Sequence, residues 1–230
     1  MNIVKIIARW LFSLCMPVLL FTFSVSLAAN CIWLYEYGFS KYDVGQTTGL
    51  APEEMEKVAR GLIDYWNSSD ETFNITVTKD GQPFTVFNAK EVQHLVDVKA
   101  IFRLVYKCLL GSFIYALIFL GLNLFLWRDR RQLAWGLIWG SGFSVLVMVA
   151  LGLAAIIDFH WLFWQFHLLS FANDLWLLNP YTDYLIMLFP EGFWFDAAIF
   201  CSVLKIVLAL ILGGVGWWIL KRNPRSLKIE

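Results

Sequence analysis

The chain has 230 residues, of which 59% are hydrophobic and only 16% are charged. It carries 20 Phe, 12 Trp and 8 Tyr, a composition that excludes an ordinary soluble domain, so the bilayer must be its main solvent. The formal net charge is zero, which gives no indication of a nucleic-acid partner.

Four segments are long enough to cross a bilayer as helices, which takes roughly 20 apolar residues each. They run from about residue 7 to 35, 100 to 127, 133 to 157, and 195 to 220. The first segment could instead be a signal peptide cleaved after Ala29. Its apolar run is too long for that interpretation, and cleavage would leave an odd number of spans.

Basic residues cluster at one end of these spans. The clusters are Lys5 and Arg9, then Arg128, Arg130 and Arg131, then Lys221, Arg222, Arg225 and Lys228. An even number of spans places all three clusters on one side, which the positive-inside rule identifies as the cytoplasm. The sequence therefore predicts a multi-pass membrane protein with both termini cytoplasmic and two longer loops outside.

The first outer loop, residues 36–98, has the pattern of a small folded cap. Pro52 starts a helix with apolar residues at helical spacing. Alternating residues at 72–78 and 84–87 predict two short strands joined by a turn at 80–81. A lone hairpin is marginal in water, so we expect it to pack against the helix.

A capping-box pattern precedes the second span, because Asn88 is followed three residues later by Glu91. We expect this helix to run unbroken into the second span. His94 and Asp97 lie three residues apart and share one face of it, just above the membrane. Lys99 is placed at headgroup level, where its stem can snorkel.

The second outer loop is crowded with aromatic and apolar residues, yet Pro180, Pro190 and Gly192 interrupt it. It also lacks Lys and Arg from Phe159 to Trp194. It cannot be one straight span, and short helices lying in the outer interface fit its composition better.

The expected fold class is an all-α polytopic membrane protein with four transmembrane helices, a small extracytoplasmic α+β cap and interfacial helices. The expected parts are the first transmembrane helix at 1–35, the cap at 36–98, and transmembrane helices 2–4 at 99–230 with the outer interfacial loop at 158–194.

All three histidines of the chain, His94, His160 and His167, fall in the outer segments. Imidazole has an unperturbed pKa of about 6.5, so it can take and return a proton at neutral pH. His94 and His167 are the candidate acid–base pair, with Asp97 as the group that orients His94. An interfacial anchor is the favoured explanation of His160. A zinc site is an alternative without the HxxxH or HExxH spacing, and no metal or cofactor is expected.

Asn173, Asp174 and Asp183 are further polar groups in the apolar second loop, where they are costly unless paired or functional. Helix caps would explain the two aspartates, and a helix break would explain Asn173. Ser170 has no local nucleophile signature. Four cysteines show neither a disulfide framework nor a CxxC pattern and are expected to be small buried hydrophobes, namely Cys15, Cys31, Cys108 and Cys201.

Two motifs together resemble the lipoprotein intramolecular transacylase (Lit) family of four-span bacterial membrane proteins, and the resemblance covers essentially the whole chain. The first motif is His94-Leu95-Val96-Asp97-Val98-Lys99. The second is long and specific, and comprises His167, Phe171, Asn173, Asp174, Trp176, Leu178, Pro180, Thr182, Asp183, Leu185, Ile186, Phe189 and Pro190.

The resemblance implies a reaction in a bacterial cell membrane. An acyl chain moves from the sn-2 oxygen of a diacylglyceryl group to the α-amine of the N-terminal Cys of a lipoprotein, and the product is the lyso-form. The resemblance also implies that His94 and His167 are catalytic. Asp97, Lys99, Asn173, Asp174 and Asp183 are expected to support the site or bind substrate. The implied partners are a diacylated lipoprotein and membrane lipids, with no nucleic acid.

Two other functions compete with this interpretation. One is a non-enzymatic membrane protein whose outer cap binds a lipid or a partner protein. The other is a small transporter, which is disfavoured because the spans carry few ionisable residues beyond Arg103, Lys107 and Lys205.

Overall fold

A computed structural model describes residues 3–222, which form two compact units. The first, here called the span unit, comprises the described residues of 1–25, 106–153 and 201–230. The second, called the histidine unit, comprises 26–105 and 154–200 and contains all three histidines.

Helices dominate both units, and one two-stranded antiparallel sheet accompanies them in the described chain. The elements are α1 (Ile3–Ala29), α2 (Ile32–Lys41), α3 (Val44–Thr48), α4 (Pro52–Asn67), β1 (Thr76–Lys79), β2 (Gln82–Thr85), α5 (Ala89–Gly121) continued by a π-helical turn (Leu122–Leu126), α6 (Arg130–Ser170), α7 (Tyr184–Leu188) and α8 (Glu191–Arg222). Between residues 3 and 222, four helices are long and apolar enough to cross a membrane. The predicted fold class, a four-span helical membrane protein with a small α+β part, is confirmed.

In the span unit, helix α1 packs against α6 through a pair of glycines four residues apart. A Cβ added at Gly136 would lie 2.9 Å from Phe12, and one at Gly140 would lie 2.7 Å from Met16. The Ser13 hydroxyl donates to the Gly136 carbonyl at 3.3 Å. Small residues at this spacing let two helices approach closely, and the resulting van der Waals packing is one of the forces that associate helices in lipid.

The start of α1 lies beside the link between α5 and α6. Gln132 donates its side-chain amide to the Lys5 carbonyl at 2.7 Å, and the Lys5 ammonium lies 3.6 Å from the Asp129 carboxylate. Arg130 and Arg222 line one groove at the end of α8. The described members of the three basic clusters therefore lie at one end of the span unit, whereas Arg225 and Lys228 lie outside the described residues.

The first helix ends earlier than its apolar run suggests. The sequence extends the first span to about residue 35, whereas α1 stops at Ala29 and α2 begins at Ile32. The Asn30 amide turns back onto the Ser26 carbonyl at 2.7 Å and also accepts a hydrogen bond from Asn67 at 2.6 Å. A side-chain amide that competes with the backbone in this way favours a helix end.

The core of the histidine unit forms around the amphipathic helix α4 and the hairpin. Asp80 and Gly81 both have positive φ, 51° and 74°, which is the two-residue turn that suits the twist of paired strands. The expected turn is confirmed, but β1 begins at Thr76 rather than residue 72. Phe73 packs instead against Tyr65 of α4, with ring centroids 5.2 Å apart.

Helix α6 is bent at Asp158, whose φ and ψ of −158° and 92° are not helical. The Asp158 carboxylate accepts a hydrogen bond from the Trp161 amide at 2.8 Å, so it caps a second helical segment that ends at Ser170. The kink separates this short segment from the membrane-spanning part of α6, which agrees with the expectation of short helices across 158–194. Beyond it, the only helix before α8 is the single turn α7.

Candidate active site

The helix that carries His94 begins with a complete capping box. The Asn88 side chain accepts hydrogen bonds from the Lys90 and Glu91 amides, and the Glu91 carboxylate accepts from the Asn88 amide at 2.7 Å. The predicted cap is confirmed. It fixes the first turn of α5, one turn before His94.

Asp183 belongs to the same anchoring network. Its carboxylate accepts hydrogen bonds from the Asn88 side chain at 3.1 Å and from the Asn179 amide at 2.8 Å. The other oxygen of Glu91 accepts from the Leu185 amide at 2.7 Å. These contacts tie the loop before α7 to the start of α5, so Asp183 has a structural position in this network.

His167 lies in the last turns of the capped segment of α6. Its Nδ1 is 2.7 Å from the Phe163 carbonyl oxygen. A carbonyl oxygen only accepts, so Nδ1 carries the proton and donates it. When the ring is neutral, Nε2 then holds the free lone pair and is the nitrogen that can accept a proton.

The structure brings His94 and His167 together. Their ring centroids are 6.4 Å apart and their planes differ by 26°. This distance joins the ring centroids and shows that the two imidazoles are neighbours, so the edges of both rings can approach one substrate group placed beside the pair. His94 is only 6% exposed, and its Nδ1 is buried without a hydrogen-bond partner. An unsatisfied buried nitrogen is costly in a purely structural residue, which favours a functional role.

Aromatic rings enclose the two imidazoles. Phe171 presents its ring to both, with centroids 4.9 Å from His94 and 5.6 Å from His167. Trp176 and Phe163 lie 4.9 Å and 4.4 Å from His167. Phe171 and Trp176 stand in the second motif, but neither was singled out as a site residue from the sequence. Sequence spacing alone does not show that both rings fold back onto one imidazole.

Asp97 does not hold His94 in this structure. Its carboxylate accepts a hydrogen bond from the Asn173 side chain at 2.9 Å, while the His94 Nδ1 has no partner. The expected pairing of Asp97 with His94 is therefore not formed. Asp97 and Asn173 instead join α5 to the loop that follows α6.

Lys99 and Asp174 lie elsewhere. Lys99 is 2% exposed, donates to the Ser68 hydroxyl and the Asp70 carbonyl, and lies 3.8 Å above the Tyr65 ring. Asp174 is exposed, and its backbone carbonyl accepts from the Leu177 amide. Within residues 3–222, neither side chain forms a hydrogen bond with His94 or His167.

The third histidine has a different partner. His160 Nδ1 is 2.7 Å from the Glu191 carboxylate, and both side chains are exposed. In the described part of the chain, no three His, Cys, Asp or Glu side chains are placed to bind a metal ion.

A groove of about 350 Å³ lies beside the histidine pair within the same unit. One wall is a face of α5 that begins at Asp97, and the other is formed by residues 170–173. Ser170, which the sequence left without a role, lines this groove.

Comparison with known proteins places this architecture among polytopic membrane acyltransferases. Residues 10–194 match the family model described as lipoprotein intramolecular transacylase Lit. The chain belongs to the Lit family. A protein of Aquifex aeolicus (strain VF5), described as an uncharacterized protein, is 27% identical over 210 residues, which is 89% of this chain and 92% of that protein.

Solved structures share the fold over nearly the whole chain. The membrane-integral lipoprotein intramolecular transacylase Lit from Bacillus cereus superposes with a TM-score of 0.81 and 21% identity, covering 95% of this chain and 97% of that chain. A variant of the same protein with one histidine replaced by arginine superposes with a TM-score of 0.76 and 20% identity, covering 95% and 93% of the two chains. A histidine-to-alanine variant gives the same score and identity.

Proposed function

We propose that the protein moves the sn-2 acyl chain of the diacylglyceryl group to the α-amine of a lipoprotein's N-terminal cysteine, giving the lyso-form, by histidine general acid–base catalysis. The observation that carries this proposal is the facing pair His94 and His167, 6.4 Å apart and enclosed by aromatic rings. Family membership supplies the reaction class.

Positioning is the first task of such an enzyme, because nucleophile and ester belong to one flexible substrate. Attack through the thioether link closes an eight-membered ring. Holding the two groups in a reactive geometry supplies roughly 7–11 kcal/mol of the barrier in the best-oriented cases. The aromatic walls around the imidazoles suit this task, since they restrict and desolvate the bound glyceryl group.

Proton transfer is the second task, and the hydrogen bonds support an assignment of roles. His167 is the base in this proposal, because its Nδ1 proton is engaged with the Phe163 carbonyl and its Nε2 lone pair remains. His94 donates a hydrogen bond to the oxyanion and then a proton to the departing sn-2 oxygen. The ammonium loses one proton to His167, nitrogen bonds to the carbonyl carbon, and the bond from that carbon to the sn-2 oxygen breaks. A second proton leaves the nitrogen for His94 and replaces the one that His94 gives to the sn-2 oxygen, so the nitrogen ends as a neutral amide.

The proposed orientation puts this chemistry on the outer side of a bacterial cell membrane. Basic residues of α1, of the α5–α6 link and of α8 meet at one end of the span unit. Positive residues favour the cytoplasmic side, which places both termini there. In the sequence, His94 precedes the second span and the basic link follows that span, so the proposal puts His94 on the outer side.

Mass spectrometry of a lipoprotein's N-terminal peptide tests the proposal in bacterial cells with and without the protein. The lyso-form should appear only with the intact protein. His94→Gln and His167→Gln should each slow its formation by about 10²–10⁴-fold, the usual contribution of general acid–base catalysis.

His160→Gln is the matched control, because it changes the third histidine, whose partner is Glu191, and leaves the facing pair intact. It should retain lyso-form production. Unchanged lyso-form production by the double variant His94→Gln/His167→Gln would refute the proposed catalyst.

A further inference from the structure

The groove beside the histidine pair changes from polar to apolar along its length. Its α5 wall consists of Asp97, Ala100, Ile101 and Leu104, which follow the i, i+3, i+4, i+7 spacing of one helix face. From Asp97 to Leu104 the helix rises by about 10 Å. Leu104 is 61% exposed, so the apolar end is open at the side.

The Asp97 carboxylate at the polar end has one partner within the protein. It accepts from the Asn173 amide at 2.9 Å, and none of the described Lys, Arg or His side chains forms an ion pair with it. A hydrogen bond from a neutral amide orients a carboxylate without neutralising it. The groove therefore presents an oriented carboxylate with which no Lys or Arg of the described residues forms an ion pair.

Asp97 also stands close to the proposed catalyst. It follows His94 by three residues on α5, so the two side chains share one helix face. Phe171 contacts the His94 ring and lines the groove as well. A cation held at Asp97 is consequently within one helical turn of the facing imidazoles.

We propose that Asp97 binds the α-ammonium of the substrate's N-terminal cysteine, and that the apolar stripe below it receives an acyl chain of the same molecule. This inference rests on the proposed function. The ammonium of the substrate is the only cation that the reaction itself supplies. The substrate has a charged ammonium followed by apolar acyl chains, and the groove has a carboxylate followed by apolar residues, so the two polarities match.

The charge at the cysteine nitrogen disappears during the reaction. One ammonium proton passes to His167 and on to solvent, another ends on the sn-2 oxygen, and the nitrogen becomes a neutral amide. Asp97 then loses its cationic partner. The groove therefore binds substrate more tightly than product, which favours release after acyl transfer and rejects lipoproteins whose cysteine nitrogen is already an amide.

A binding experiment with unreactive ligands tests this inference. The ligands are two dialkyl ether analogues of a diacylglyceryl-cysteine peptide, one with a free α-amine and one N-acetylated; ethers cannot donate an acyl chain. The full-length wild type should bind the amine form about tenfold more tightly, a difference of roughly 1.4 kcal/mol. Asp97→Asn, which keeps an acceptor for Asn173, should reduce this preference to about twofold or less.

Asp64→Asn is the matched control, because it removes an exposed carboxylate of α4 outside the groove and should leave the preference intact. Asp97→Ser serves as a second neutral variant if Asp97→Asn does not fold. A wild type that binds both ligands equally, or an Asp97→Asn variant that keeps the preference, overturns the inference. If the wild type still converts the reactive diacyl substrate, the proposed function survives that failure; if it forms no lyso-product, the proposed function itself fails.

Discussion

At the scale of single residues, Lys99 has a role that its position in the sequence concealed. An ammonium near the end of a membrane span is expected to snorkel to the headgroups. The structure instead buries it over the Tyr65 ring, with the Ser68 hydroxyl and the Asp70 carbonyl as acceptors. The helix face of Lys99 follows from its number, but the acceptors come from the end of α4, which no local pattern places there.

Replacing Lys99 tests this anchoring. Lys99→Met keeps much of the apolar stem but removes a cation–π contact and two charge-assisted hydrogen bonds, so it should lower the free energy of unfolding by about 1–3 kcal/mol. The thermal midpoint in detergent measures the effect. Lys99→Arg keeps the charge, so its free energy of unfolding should fall by less than that of Lys99→Met. Equal decreases in the two variants would contradict the assigned contacts.

For the histidine pair, unlike Lys99, the sequence identified the candidate residues and the structure supplied their geometry. His94 and His167 could be selected from the sequence because imidazole is rare in this chain and both motifs begin with it. Three features of the pair could not be predicted from the sequence: the distance between the rings, the burial of the His94 Nδ1 and the Phe163 acceptor of His167. The first two depend on how distant elements fold together, and the third depends on the side-chain conformation of His167.

At the scale of elements, sequence motifs correctly predicted the helix cap and the turn, which depend only on neighbouring residues. Two motifs could be predicted because neighbouring backbone groups complete them: the capping box of Asn88 and Glu91, and the turn at Asp80 and Gly81. The bend at Asp158 could not be predicted. An aspartate at the end of an apolar run suggests the end of a span, and the same residue here begins a new helical segment.

The cap at Asp158 can be tested because the segment that it begins carries His167. Asp158→Ala removes the acceptor for the Trp161 amide and should destabilise this segment by about 0.5–2 kcal/mol. Hydrogen exchange of the amides in 159–170 should become faster. Asp158→Asn keeps an acceptor and should exchange nearly as the wild type does; faster exchange in both variants would mean that the charge, rather than the cap, matters.

At the scale of the whole molecule, the span unit depends on close helix approach. The glycines at 136 and 140 were not singled out from the sequence, because glycine is common in membrane helices and its partner helix is unknown until the fold is seen. In the structure, Met16 fills the space above Gly140. Packing of this kind replaces the hydrophobic effect, which is weak between helices in lipid.

A pair of substitutions in α6 separates packing from helix propensity. Gly140→Ala puts a Cβ 2.7 Å from Met16 Cγ and 3.3 Å from the Ser13 carbonyl, so it should lower the free energy of unfolding by about 1–3 kcal/mol. Gly142→Ala meets no atom within 4 Å and should leave the thermal midpoint unchanged or slightly raised. Equal midpoints for the two variants would exclude the close approach of α1 and α6.

The side opening at Leu104 has a consequence for how the enzyme meets its substrate. With the proposed groove open there, an acyl chain enters by lateral diffusion and never has to pass through water. The encounter is then two-dimensional. Its frequency follows the number of lipoproteins per unit area of bilayer, so adding inert phospholipid slows turnover while adding buffer at a fixed lipid ratio does not.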